Sequence, residues 1–175
     1  MKNIPQRCFT AVLACFFYSA NVMAGCNLDR LMGLSYQSAH AILKFDQPYA
    51  GVPDRYIFVS GDKACRGYKT LSGAVVRIVF LSNQLVQIEV RERSRKSQRK
   101  RVLANWAESN YGVKSGKPVG YFSNEPNAQW HWEISSAVIT YSIVTTELEI
   151  IEYVQIQSTV HEELFSRFGS QLDKQ

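Results

Sequence analysis

No apolar run in this 175-residue chain reaches the roughly 18–20 residues that a membrane-spanning helix needs, which excludes a bundle of such helices. No serine-, glycine- and proline-rich stretch divides the chain, so the sequence reads as one folding unit. There is no glycine-rich phosphate loop and no G-x-S-x-G elbow. Only three histidines occur: His40, His131 and His161. None has a His, Cys or carboxylate at metal-ligand spacing, and no metal or cofactor is expected. His131 and Glu133 are two apart on one strand face, where a surface pair suffices to explain them. His161 precedes Glu162 and Glu163 but lacks the second histidine of a zincin helix. Disorder is excluded too, because hydrophobic residues make up 46% and charged residues 20% of the chain.

The N-terminus reads as an export signal over residues 1–24. Lys2 and Arg7 supply a positive start, Cys8 to Phe17 an apolar stretch, and Val22-Met23-Ala24 a cleavage context. Cutting after Ala24 leaves a chain over 25–175 in a periplasmic or secreted setting. Met23-Ala24-Gly25-Cys26 also resembles a bacterial lipobox, with Met an unusual first residue. In that alternative Cys26 would carry lipid and anchor an outer-membrane lipoprotein. Two cysteines remain after cleavage, Cys26 and Cys65, and in an oxidising compartment an even pair reads as a disulfide.

Alternation and capping signals place the elements. Ser35 can cap a helix from Tyr36, with Tyr36, Ala39 and Leu43 on one face, Ile42 beside them, and Gln47-Pro48 beyond its end. A second helix is predicted from Gln98 to about Asn110, with Val102, Leu103 and Trp106 as its apolar stripe and Gly112 as its stop. A third runs from Val160 to about Phe168 behind a Thr159/Glu162 capping box, with Gly169 past its end. Strands are predicted over Arg55 to Ser60, Ala74 to Leu81, Leu85 to Arg91, Ala128 to Ile134, Val138 to Val144 and Leu148 to Gln157. Together they imply an α+β fold: an antiparallel sheet with helices packed on one face.

An internal repeat is suggested at an offset of 63. Ala74-Val75-Val76-Arg77-Ile78 aligns with Ala137-Val138-Ile139-Thr140-Tyr141, Leu85 with Leu148, Ile88 with Ile151 and Glu89 with Glu152. Two helix-plus-hairpin halves followed by a C-terminal helix would result.

The charge distribution is uneven. The whole chain carries +5; residues 1–24 hold two cations and no acid, which leaves 18 cations against 15 acids. Within the run 91–101, Arg91, Arg93, Arg95, Lys96, Arg99, Lys100 and Arg101 stand against Glu92 alone. The run is read as joining a strand to the start of a helix, where cations oppose the helix dipole and cost tenths of a kcal/mol each. Local stability does not ask for it, so the run marks a surface for an anionic partner.

Export argues against nucleic acid and favours an anionic envelope polymer, lipid headgroups with peripheral membrane contact, or an acidic protein surface. Trp130 and Trp132 alternate as one strand face does and, with Trp106, read as core. Tyr111, Tyr121 and Phe122 lie near glycine and proline turns. The expectation is a non-catalytic exported protein that binds another envelope protein or an anionic envelope component. An envelope hydrolase or transferase would need His131 or His40 gathered with a carboxylate and a nucleophile. The layout is similar to small exported α+β modules that bind proteins, such as envelope-assembly lipoproteins and secreted enzyme inhibitors. That resemblance carries no site residues.

Overall fold

The computed structural model describes residues 26–46, 54–98, 101–111, 120–124 and 127–166. The export segment therefore lies outside the described residues, as do Arg99, Lys100, Gly112 and the end of the third predicted helix.

Seven strands form one antiparallel sheet. They are β1 (Arg55–Ser60), β2 (Val75–Leu81), β3 (Gln84–Arg95), β4 (Gly120–Asn124), β5 (Asn127–Ile134), β6 (Ala137–Thr145) and β7 (Glu149–Ser158). Their order across the sheet is β1-β2-β3-β7-β6-β5-β4. Two meanders, β1 to β3 and β4 to β7, meet where β3 pairs with β7. Helices α1 (Tyr36–Leu43), α2 (Gly61–Ala64) and α3 (Val102–Tyr111) complete the α+β architecture.

Period-2 patterning decides which face is covered. Val76, Ile78 and Phe80 on β2, Ile88 and Val90 on β3, Ile139, Tyr141 and Ile143 on β6, and Val154 and Ile156 on β7 are all buried. Strand register brings them onto one face, where Leu43 of α1 and Leu103 and Trp106 of α3 join the same core. On the opposite face, the short helix that begins at 162 borders a groove beside His131 and Thr140.

Local signals explain the element ends. Ser35 Oγ accepts from the Ser38 N–H at 3.2 Å and caps α1, which stops at Lys44 in the left-handed conformation, φ 48°. Ser82 and Asn83, with φ of 49° and 63°, make the two-residue turn that matches the twist of the β2–β3 hairpin. Cys26 and Cys65 are joined by a disulfide that ties the segment before the first described helical turn to the segment after α2.

Three expectations are revised. The strand leading into the basic run does not stop at Arg91; β3 continues to Arg95, because Arg91 to Arg95 pair residue by residue with Tyr153 to Glu149 of β7. Helix α3 accordingly starts at Val102 rather than Gln98, behind a 3₁₀ turn at Lys96–Gln98. The last helix begins at 162 instead of Val160, which is 76% exposed; Ser158, rather than Thr159, holds His161 in the first turn, Oγ to Nδ1 at 2.8 Å. Strand β4 was not anticipated.

The two-half layout is present at the level of elements, α1-β1-β2-β3 and α3-β5-β6-β7. Residue equivalence at the offset of 63 holds only in part. Val76 pairs with Val90 and Ile139 with Ile156; the first members are 63 apart and the second 66. The β6–β7 connection is longer than the tight β2–β3 turn. Glu89 and Glu152 are consequently not equivalent: Glu89 lies on the open face, bonded to Arg77 at 3.0 Å, and Glu152 lies on the covered face.

Candidate functional site

The five described cations of the basic run do not share one surface. Because β3 runs through the first part, side chains alternate: Arg91, Arg93 and Arg95 fall on the open face, and Glu92 and Ser94 on the covered one. Arg91 is half-buried; Arg93 and Arg95 are exposed. Across β7, Arg91 faces Tyr153, Arg93 faces Ile151 and Arg95 faces Glu149. Lys96 follows in the 3₁₀ turn, exposed, and Arg101 sits on the other side of the sheet at the start of α3. A cleft of about 710 Å³ at this end of the sheet is bordered by Lys96, Ser97, Arg101, Thr145 and Ile150.

The open face continues past the arginines to β1. Tyr56 and Phe58, 63% and 57% exposed, stack edge-on with centroids 5.7 Å apart, and Val75 is exposed beside Phe58's strand neighbour Arg77. The arginine stripe is therefore flanked by apolar surface rather than by acids alone.

On the covered face, one polar group breaks the apolar series of β7. Glu152 lies between Ile150 and Val154 and is 1% exposed. Its carboxylate accepts from the Leu103 N–H at 3.3 Å, the Ala104 N–H at 3.3 Å and the Tyr141 hydroxyl at 2.8 Å. The first two donors belong to the N-terminal turn of α3, whose amides have no partner within the helix. A negative charge there offsets the helix dipole and the cations that precede it. The energetic objection to a basic run leading into a helix is thus answered from β7. Burial, reinforced by Glu152, pushes the Tyr141 hydroxyl well above the usual tyrosine range, and Arg101 opposes the shift. Burial acts likewise on Tyr111, whose oxygen accepts from the Leu28 N–H at 3.2 Å.

Between α3 and strands β5 and β6 lies a second cleft of about 410 Å³. Trp130 and Trp132 are half-buried along it rather than sealed in the core, and Trp130 packs on Tyr141 with centroids 5.1 Å apart. Trp106 is fully buried, edge-on to Tyr111.

The histidines fall in three separate places. His40 packs edge-on against Phe45 and stacks with Tyr36. His131 Nδ1 bonds across the strand pair to Thr140 Oγ1 at 2.8 Å, in a shallow groove that Glu162 also borders. His161 bonds to Ser158, which is buried. Among the described residues no group of three or more His, Cys, Asp or Glu is placed to hold a metal ion. Likewise, no helix among them is long and apolar enough to cross a membrane.

Sequence reasoning missed Glu152 as a functional support. The signal was present: strict alternation from Ile150 through Val154 to Ile156 assigns Glu152 to the apolar face, and a carboxylate there requires donors. Comparison with family models, with curated proteins and with solved structures finds no match for the chain.

Proposed function

We propose that this chain is an exported, non-catalytic binding protein that holds an anionic partner of the cell envelope on the open face of its sheet. The partner is the acidic surface of another envelope protein or an anionic envelope component. One observation carries the reading: Arg91, Arg93 and Arg95 project from the uncovered face, with Arg91 and Arg93 set opposite the uncharged Tyr153 and Ile151. Among the described residues none of the three forms an ion pair. Charge held beside apolar surface, rather than neutralised by acids, attracts and orients an oppositely charged partner.

Export is supported by the basic-then-apolar start of the sequence and by the Cys26–Cys65 disulfide. The same bond occupies the Cys26 sulfur, which favours a free exported chain over a lipid-anchored one. A non-catalytic role is supported by the scattering of the histidines. His161 stands beside the Ser158 hydroxyl, while His131, beside the Thr140 hydroxyl in a groove that Glu162 borders, sits on paired strands. Their amides are engaged in the ladder and leave no donor pair for a developing oxyanion.

The test compares wild type with R91Q/R93Q/R95Q/K96Q in affinity capture from native envelope at rising ionic strength. Wild type should retain a partner at low salt and release it as screening increases, and the variant should retain little. Equal capture by both proteins would overturn the reading.

A further inference from the structure

Strand β1 is one edge of the sheet, and among the described residues nothing pairs with its outer side. The ladder with β2 fixes which of its backbone groups point outward. Arg55 to Ser60 pair with Phe80 to Val75 without a shift, and one step beyond, the Gly61 N–H donates to the Ala74 carbonyl at 2.8 Å. Ladder bonds fall on alternate residues of an antiparallel pair, so Arg55, Ile57 and Val59 bond to β2. The N–H and C=O groups of Tyr56 and Phe58 are therefore directed away from the sheet.

Exposed edges are ordinarily guarded by charge, proline or a bulge. The six residues of β1 include no proline, and its pairing with β2 has no bulge. Its single charged residue, Arg55, lays its guanidinium over the Tyr36 ring, 4.5 Å from the centroid. Apolar surface gathers at the edge instead. Tyr56, Phe58 and Val75 are three of the six large hydrophobic side chains exposed among the described residues. A cleft of about 510 Å³ opens beside Phe58, Val59 and Ser60, which leaves room along the end of the strand.

We propose that this edge pairs with the same edge of a second copy of the chain, joining two seven-stranded sheets into one. The strand's own pattern selects that partner. Set antiparallel about a two-fold axis at Ile57, β1 places Tyr56 opposite the partner's Phe58 and Phe58 opposite the partner's Tyr56. Both pairs use outward-facing backbone, so four hydrogen bonds form across the axis. Both also lie on the open face, where the aromatic rings meet across the strands. Ile57 meets the partner's Ile57 and Arg55 meets the partner's Val59, so no like charges stand opposed. Sliding the register by two residues either way sets Phe58 against the partner's Asp54, or Tyr56 against the partner's Ser60, and leaves a single aromatic pair. A second copy supplies the matching strand by symmetry, as an isologous contact does. The association uses none of the arginines of β3.

The experiment follows the mass of the disulfide-intact chain by sedimentation equilibrium from about 5 to 500 µM. A contact built on one strand pair is small, so a monomer–dimer equilibrium with Kd about 100 µM or tighter is expected. Y56K/F58K puts charge at two exposed edge positions and should weaken association at least about tenfold. F58P removes one outward N–H, leaves every bond to β2 in place, and should do the same. Far-UV circular dichroism confirms the fold of both variants. R93Q/R95Q should dimerise as wild type does. Mixing Y56C with F58C under mild oxidation should give the mixed disulfide dimer at least about fourfold over either homodimer, because positions 56 and 58 face each other across the axis. The proposal is overturned if wild type stays monomeric to about 500 µM, if folded Y56K/F58K or F58P dimerises as wild type does, or if the mixed disulfide is not favoured. Loss of dimerisation in R93Q/R95Q overturns it too, and keeps failure at this edge distinguishable from failure of the arginine stripe. A monomeric wild type whose capture from native envelope is lost in Y56K/F58K would assign the edge to a strand of another protein, and that result also overturns the proposal.

Discussion

The Tyr141 hydroxyl donates to the buried Glu152 carboxylate at 2.8 Å, and through that carboxylate β6 and β7 are tied to the first turn of α3. The contact holds in place both the helix that closes the aromatic cleft and the end of the basic run that leads into it. Glu152 is flanked by Ile150 and Val154 along β7 and faces Ile143 and Glu92 on the adjoining strands, so its value depends on keeping every donor engaged.

Removing the carboxylate should be costly. Glu152→Ala leaves the Leu103 and Ala104 amides and the Tyr141 hydroxyl without their acceptor, and should lower unfolding free energy by about 3 kcal/mol or more. Tyr141→Phe removes one donor and should cost about 1 kcal/mol. Urea unfolding of both single variants and the double variant measures the coupling. Additive losses would show that the two groups act independently.

Alkaline pH should destabilise the fold earlier than surface tyrosines alone would cause. Tyr141 and Tyr111 both have hydroxyl pKa values raised by burial in the folded state. Above the unfolded tyrosine value, near 10, the unfolded chain gives up these protons while the folded chain keeps them. The stability they contribute is therefore complete below about pH 10 and declines above it. Unfolding free energy measured from pH 8 to 11 should fall with a shallower slope in Y111F/Y141F than in wild type. Identical slopes would count against buried, protonated tyrosines.

Loss of the disulfide should weaken the fold substantially. Cys26 and Cys65 are separated by 39 positions, and a loop of that length stabilises by about 4 kcal/mol in the chain-entropy model. Cys26→Ser/Cys65→Ser should shift the urea midpoint down by a corresponding amount. Reductant should move wild type to the same midpoint and leave the double variant unmoved.

Gly61 should not tolerate a side chain. A methyl group at this position would collide with the Leu71 backbone carbonyl, and the Gly61 N–H is engaged by the Ala74 carbonyl at 2.8 Å. Gly61→Ala should cost about 1–3 kcal/mol through overpacking, read as a lowered thermal midpoint. An unchanged midpoint would mean that the α2 segment moves aside freely.

Strand and helix positions were largely legible because their signals are local. The alternation of Val76, Ile78 and Phe80 and the Ser35 cap each act within a few residues, and both appear where the pattern places them. The basic run was harder. Seven cations in eleven residues suggested a loop feeding a helix, and no local signal tells a solvated loop from the far end of a paired strand. Pairing with β7 decides that, through hydrogen bonds to residues about 60 positions away. Repetition misled in one place: Glu89 and Glu152 match in sequence, but the longer β6–β7 connection and the register irregularity between Val79 and Phe80 in the β2–β3 pair together shift the pairing by three, and a shift of an odd number of residues moves a side chain to the opposite face.

From the sequence alone came the α+β class, the covered and open faces of most strands, the cysteine pair and the concentration of positive charge. All follow from periodicity and composition, which need no knowledge of distant neighbours. The tertiary structure alone decided that Arg91, Arg93 and Arg95 line the open face while Arg101 crosses to the other side. It also decided that Glu152 answers the exposed amides of α3, and that Ala104 opposite Trp130 and Trp132 leaves a cleft instead of sealed core. These depend on which strand lies beside which and on what a helix side chain meets across the gap. Chain spacing does not encode such distances; they are set when the two meanders join at β3 and β7.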